Sequence, residues 1–254
     1  MTDQTFPPAH GPRPTTAFVL AAGLGTRMRP LTDTLPKPLV PLAGRALLDH
    51  VLDRLADAGI TSTVINVHYL ADQIEMHVMG RTRPAIKISD ERDTLLETGG
   101  GVVRALPLLG DAPFVIHNSD SVWIEDQTAN LTRLLDAWND ERMDSLMLLA
   151  RTEASLGYDG RGDFTLAADG RLTRRSGSEP APYVFAGVSI IHPCMLKGEA
   201  ERRFSLNHVW DRAIAASRLY GIVLDGLWMH VGTPQSLDEA NAAIADANSK
   251  GRHA

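Results

Sequence analysis

The stretch LAAGLGTRMRPLTDTLPKPLVPLAG, Leu20 to Gly44, decides how the rest of this chain is read. It overlaps the apolar run AFVLAA, Ala17 to Ala22, which reads as a first buried strand, so its glycines fall where strand gives way to turn. Gly23 and Gly25 lack a Cβ. The backbone can bend sharply there, and phosphate oxygens can approach the N–H groups of Ala22, Gly23, Leu24, Gly25 and Thr26. Arg27 then supplies a planar fork that matches phosphate oxygens, and Lys37 a point charge. Pro36 and Pro38 flank that lysine and bias its backbone to an extended form. The segment reads as a phosphate cradle with two cations. A Walker loop is excluded, because Gly25 is followed by Thr26 and Arg27 rather than by Lys and Ser or Thr. A dinucleotide fingerprint is excluded as well, because Met28 stands where the third glycine belongs.

Outward from this turn, short apolar runs alternate with longer amphipathic ones, the pattern of a mostly parallel sheet covered by helices. Ala46 to Ala58 puts Leu48, Val51, Leu52 and Leu55 on one helical face and stops at Gly59. Strands are predicted at Thr63–Val67, Ala85–Ser89, Phe114–Asn118, Ser145–Ala150, Tyr183–Ile191 and Trp228–Val231. Helices are predicted at Ala71–Met79, from Gly100 to Leu106 with Pro107 as its stop, at Thr128–Asn139, at Asn207–Ser217 and at Gln235–Asn248. Between Arg151 and Pro182 five glycines interrupt the alternation, and hairpins and loops are expected there. The expected fold class is α/β: one doubly wound, Rossmann-like domain with a mixed sheet over residues 16–250. Residues 1–15, with Pro7, Pro8, Pro12 and Pro14, are read as a disordered leader.

Composition narrows the function. The 254 residues carry 25 Lys and Arg against 31 Asp and Glu, a formal charge of −6, with no basic run to match a nucleic-acid backbone. No stretch approaches the roughly 20 apolar residues that a membrane helix needs, and the N-terminus lacks the basic start and apolar block of a secretory signal. The one cysteine, Cys194, suits a reducing compartment, so a cytoplasmic protein is expected, a monomer or small homo-oligomer without nucleic-acid or membrane partners. His68, His77 and His192 show no ligand spacing.

Two further motifs carry chemistry. ETGGG, Glu97 to Gly101, marks a place where backbone must approach something closely. HNSDS, His117 to Ser121, sets Asp120 just past the carboxyl end of a strand, where open α/β sheets bind ligands and where a hard oxygen donor could hold Mg²⁺.

GLGTRMRPLT followed by PKPLVPLAGRALLDHVLDRLADAGI resembles the signature of the sugar-phosphate nucleotidyltransferases, which join a sugar 1-phosphate to a nucleoside triphosphate and release pyrophosphate. Leu95 to Phe114, the GRGDF at Gly160 to Phe164 and FAGVSIIHP at Phe185 to Pro193 are most similar to the N-acetylmuramate 1-phosphate uridylyltransferase branch of that family. Mannose 1-phosphate guanylyltransferases share the first motif and form the alternative. A non-catalytic nucleotide-sugar sensor is the rival from another class.

The resemblance implies a glycosyltransferase-A-like fold, a nucleotide half over residues 16–118 and a sugar-binding half over 119–250. It implies catalytic roles for Arg27, Lys37 and Asp120, nucleotide contacts from residues 22–27, Lys37, Glu97 and Gly100, and sugar contacts from Asn118, Gly162 and Gly187. It also implies Mg²⁺, with Mn²⁺ or another divalent ion as the alternative. In WMHVGTP this chain departs from the family, which carries an aspartate as a second metal ligand where His230 stands here. Imidazole suits Mg²⁺ poorly. His230 therefore either binds a softer ion, meets phosphate as a donor, or leaves the ion to Asp120, triphosphate and water.

Overall fold

The computed structural model describes residues 10–251. Strand β1 (Thr16–Leu20) leads into the glycine-rich turn and then a small hairpin, β2 (Pro41–Leu42) with β3 (Arg45–Ala46). The first half continues through α1 (Leu47–Asp57), β4 (Ser62–Val67), α2 (Ala71–Val78), β5 (Ala85–Asp90), α3 (Glu97–Leu109) and β6 (Phe114–Asn118). The second half adds β7 (Ser121–Glu125), α4 (Asn130–Asp136), β8 (Ser145–Arg151), β9 (Phe164–Leu166), β10 (Leu172–Arg174) and β11 (Tyr183–Ile191). It closes with α5 (Asn207–Ala215), β12 (Leu219–Val223), β13 (Gly226–His230) and α6 (Pro234–Ser249).

The main sheet has nine strands among the described residues, in the order β10-β9-β11-β6-β1-β4-β5, with β8 pairing with β11 and β12 with β8. Strands β6, β1, β4 and β5 are parallel, with Ala17 opposite Thr63 on one side and Val115 on the other. The long β11 runs antiparallel to β6 and β8, and its register shifts between Phe185 and Ser189. This is the mixed, mostly parallel α/β sheet that the alternation predicts. Alternate residues of β1 feed opposite cores. Ala17 and Val19 pack under α1, α2 and α4, whereas Phe18 faces Val102, Val209 and Trp210 of α3 and α5.

Helix α1 shows why the amphipathic pattern wins. It starts at Ala46 without a side-chain cap, a deficit of about 1 kcal/mol. Leu48, Val51, Leu52 and Leu55 are all fully buried, each contributing roughly 1.5–3 kcal/mol.

A second, two-stranded sheet pairs β7 with β13, placing Trp228 opposite Trp123 and His230 opposite Ser121. It carries the end of the chain back over the end of β6. A third core under it joins Val122, Ile124 and Met229 to Leu237 and Ile244 of α6.

Three expectations are corrected. Residues 1–9 of the expected leader lie outside the described residues, but 10–15 are docked: His10 bridges to Asn139, Pro14 is buried and the Thr15 carbonyl accepts from Thr61. Proline content, on which the expectation of a leader rests, does not report such contacts. Helix α3 begins at Glu97 and runs through the exposed Pro107 to Leu109; the proline gives up one bond to the turn before it, and the helix still closes with Gly110 N–H donating to the Leu106 carbonyl at 3.1 Å. Strands β7 and β12 were not anticipated.

Candidate active site

The carboxyl ends of β1 and β6 open into a cavity of about 360 Å³, within the range of small-molecule sites. Ala22, Gly23, Gly25, Thr26, Arg27, Lys37, Glu97, Asn118 and Asp120, all anticipated from sequence, line it. Leu24 sits in the same turn but points outward, 43% exposed.

The two glycines of the turn do different things. Gly25 has φ 63°, a left-handed conformation, and a Cβ there would lie 3.1 Å from Lys37 Cβ. Thr32 Oγ1 donates to the Gly25 carbonyl at 2.7 Å and fixes this bend. A Cβ on Gly23 would meet nothing within 4 Å. Its open face belongs to the cavity wall.

A buried polar chain holds the turn from behind. Ala21 N–H donates to Asn66 Oδ1 at 2.7 Å, Asn66 Nδ2 donates to Glu91 Oε1 at 2.7 Å, and Leu96 N–H donates to Glu91 Oε2 at 3.1 Å. Glu91 is fully buried. Its two oxygens thereby tie the end of β1 to the start of α3, and both Asn66 and Glu91 line the cavity. Sequence reasoning missed them; single polar residues inside or just after strands give no motif.

Lys37 and Asp120 form an ion pair, with the ammonium on Asp120 Oδ2. Burial works against the charged Asp120 carboxylate, but Lys37, together with His230 and a backbone N–H, outweighs it, and its pKa lies below the usual value. His230 Nδ1 is 4.0 Å from the same oxygen. Pairing of β13 with β7 brings it there, and Val231 N–H donates to the Asp120 carbonyl at 3.1 Å. Burial lowers the His230 pKa; Asp120 opposes this, while Lys37 and Arg27 add to it, so the imidazole is neutral at pH 7. A Cβ on Gly232 would stand 2.7 Å from His230 Nε2 and 3.4 Å from Arg27 Nη1, which shows how closely the two side chains converge.

Among the described residues, no three His, Cys, Asp or Glu side chains form a metal cage. One carboxylate at a strand end fits a hard cation that brings its own waters and phosphate oxygens, as Mg²⁺ does. The His230 nitrogen adds little for such an ion.

The glycines of ETGGG have a reason internal to the protein. A Cβ on Gly99 would lie 2.4 Å from the Phe204 ring, one on Gly100 2.1 Å from the Arg202 carbonyl oxygen, and one on Gly101 2.6 Å from Glu91 Oε1. Gly100 itself does not line the cavity. The close approach predicted there is made by the 202–204 segment at Gly99 and Gly100 and by Glu91 at Gly101. Glu97, beside it, has φ 63°, a strained conformation for a side-chain-bearing residue.

A second cavity of about 250 Å³ shares Leu20, Thr98 and Asn118 with the first. Asp163, Arg174, Phe185 and Trp210 line it. Gly162 and Gly187 line neither cavity. A Cβ on Gly162 would meet the Ala181 carbonyl oxygen at 2.2 Å, and Gly187, at the irregularity in β11, packs on Ser121 and Asn118. Their neighbours Asp163 and Phe185 face the space instead, and Asp163 stands within the GRGDF motif.

Residues 16–158 match the nucleotidyl transferase family. The chain is 48% identical over 238 residues, 92% of its length and 98% of the relative's, to the N-acetylmuramate alpha-1-phosphate uridylyltransferase of Caulobacter vibrioides. It is 38% identical over 229 residues, 89% of its length and 96% of the relative's, to the enzyme of the same name from Neisseria meningitidis serogroup B. The structure of the inositol-1-phosphate CTP transferase from T. maritima superposes with a TM-score of 0.71 at 18% identity, covering 92% of this chain and 98% of that one, and shares its fold.

Proposed function

Because the chain belongs to the nucleotidyl transferase family, we propose that it moves a uridylyl group from UTP to N-acetylmuramate 1-phosphate, giving the nucleotide sugar and pyrophosphate. The observation that carries the chemistry is the convergence of Arg27, Lys37 and Asp120 on one cavity at the end of β1. The identity of the two substrates is supported by the similarity to the Caulobacter and Neisseria enzymes.

The reaction is an in-line attack of a sugar-phosphate oxygen on the α-phosphorus of the triphosphate, and pyrophosphate leaves. No covalent enzyme intermediate is required. Backbone N–H groups from Gly23 to Thr26 and the Arg27 fork bind the triphosphate and the departing pyrophosphate. Lys37 meets the charge that builds on the phosphates flanking the new bond. Positioning supplies the rest: Asn66 and Glu91 fix the turn, and Asp120 orients the Lys37 ammonium. Asp120 would hold Mg²⁺, which would supply charge neutralisation at the phosphates. The neutral His230 faces phosphate as a hydrogen-bond donor. The reaction belongs to the cytoplasm and to reuse of a cell-wall sugar; no described helix is long and apolar enough to cross a membrane.

Pyrophosphate release over UTP, GTP, dTTP and CTP against N-acetylmuramate, mannose, glucose and N-acetylglucosamine 1-phosphates, each with Mg²⁺ and Mn²⁺, tests the proposal. UTP with N-acetylmuramate 1-phosphate is expected to dominate. A dominant signal for GTP with mannose 1-phosphate would replace these substrates while keeping the chemistry.

A further inference from the structure

The segment from Arg202 to Leu206 crosses the start of α3 as a strap, and its backbone is pinned directly after Arg203. Phe204 N–H donates to the Leu96 carbonyl at 3.2 Å, Gly99 N–H donates to the Phe204 carbonyl at 2.8 Å, and Leu206 N–H donates to Thr98 Oγ1 at 2.9 Å. The Arg202 carbonyl lies against the bare face of Gly100. Bulk at these glycines would push the strap away.

The arginines around the strap are spoken for. Arg202 pairs with Glu199 at 3.6 Å, Arg104 pairs with Glu201 at 2.7 Å, and Arg212 also pairs with Glu199. The strap's own acids, Glu199 and Glu201, are thus already engaged, and Glu97, which lines the same cavity, does not pair with Arg203. Among the described residues Arg203 has no hydrogen-bond or ion-pair partner, and it lines the nucleotide cavity. A guanidinium that lines a cavity and pairs with none of the carboxylates there is suited to a planar anion brought by a ligand.

Two anions are available, the triphosphate and a charge carried by the sugar. The triphosphate already has the glycine-rich turn, Arg27 and Lys37. Arg203 comes from a different part of the chain, and its own strap continues into the wall of the second cavity through Ser205 and Leu206. Thr98, bonded to that strap, belongs to both cavities. Arg203 thus lines the first cavity from a strap whose later residues, Ser205 and Leu206, line the second. N-acetylmuramate 1-phosphate differs from N-acetylglucosamine 1-phosphate by one lactyl ether, whose carboxylate is separated from the phosphate by the sugar ring.

We infer that Arg203 is the specificity-determining residue that binds the lactyl carboxylate of the sugar substrate. The inference rests on the substrate reading proposed above. Arg203 takes no part in the displacement at phosphorus. It selects the anionic sugar by charge-assisted hydrogen bonds, and it does so from a strap that the ETGGG glycines hold in place.

Steady-state kinetics of wild type, Arg203→Ala and Arg203→Lys with UTP against the two sugar phosphates test this. Arg203 is exposed, and its replacement leaves no buried group unpaired. For N-acetylmuramate 1-phosphate, Arg203→Ala is expected to lower kcat/KM about ten- to a hundred-fold through KM, with the KM for UTP held, as for loss of a hydrogen bond to a charged group. The preference over N-acetylglucosamine 1-phosphate narrows by the same factor, and Arg203→Lys restores part of it. An equal fall for both sugars, or a raised KM for UTP, would assign Arg203 to the triphosphate and overturn the inference. So would unchanged kinetics in Arg203→Ala. Wild-type enzyme that rejects N-acetylmuramate 1-phosphate but turns over another sugar phosphate would remove the substrate reading, and this assignment with it.

Discussion

Lys37 places its ammonium on the carboxylate of Asp120, 83 positions further along the chain, and so joins the loop after β1 to the turn after β6. Each side chain is mostly shielded, at 12% and 19% exposed. The pair keeps Asp120 ionised and prevents Lys37 from ranging through solvent.

Lys37→Ala is expected to lower turnover a hundred-fold or more, the scale of losing one preorganised charge at a reacting centre, while thermal stability falls by only a few degrees. Solvent at the cavity mouth tempers the cost of leaving Asp120 alone. Pyrophosphate release and a melting curve on the same preparation decide it. Near-normal turnover would remove Lys37 from the reaction.

Gly23→Ala and Gly25→Ala should separate binding from folding. At Gly23 the new methyl meets no protein atom within 4 Å, so stability holds while the KM for the nucleotide rises. At Gly25 the left-handed φ of 63° and the 3.1 Å approach to Lys37 Cβ add strain of about 1 kcal/mol or more, and the melting temperature falls. Equal stability loss in both variants would contradict the division of labour described for this turn.

Stability is expected to fall with acid through a group outside the cavity. His117 is fully buried and stacked on Trp123 at 5.6 Å, and burial pushes its pKa down to about 4 from the ordinary 6.5. Between those two values the unfolded chain takes up a proton that the folded chain refuses. The stabilisation is fully present above pH 6.5 and drains away as pH falls towards 4, by about 3 kcal/mol. Burial lowers the His50 pKa too, so it acts in the same direction. Denaturant titrations from pH 7.5 to 4 should show this slope in the wild type and a flatter one in His117→Phe. An unchanged slope in the variant would shift the cause elsewhere.

Chelation offers a fourth check. With no three-residue metal cage among the described residues, EDTA should stop pyrophosphate release yet leave the melting temperature of the nucleotide-free protein unchanged. A melting temperature lowered by EDTA would mean that the protein holds an ion of its own.

Much of this architecture is legible from residue pattern alone, and the exceptions have physical causes. Strands Phe114–Asn118 and Tyr183–Ile191 coincide with their predicted bounds because both are apolar runs between clear breaks. Strand Ser121–Glu125 escaped because it starts directly after Asp120, and Leu219–Val223 because Gly221 interrupts it; that glycine lies against Leu149, where a Cβ would come within 2.7 Å. In the site, Gly23 through Arg27, Lys37 and Asp120 were readable since they cluster near one strand end or follow a motif. Arg203, Glu91 and Asn66 were not, because their meaning comes from partners distant in sequence. ETGGG announced close approach correctly without saying whether ligand or protein does the approaching.

The pairing of β13 with β7 has a consequence for how the protein comes into being. Arg27 emerges from the ribosome early, but Gly232 and His230, which complete the wall beside it, are among the last parts of the domain to be made. The four parallel strands β1, β4, β5 and β6 and the glycine-rich turn after β1 all precede the strand that walls the turn in. The wall beside Arg27 is therefore complete only once the chain has been made through Gly232.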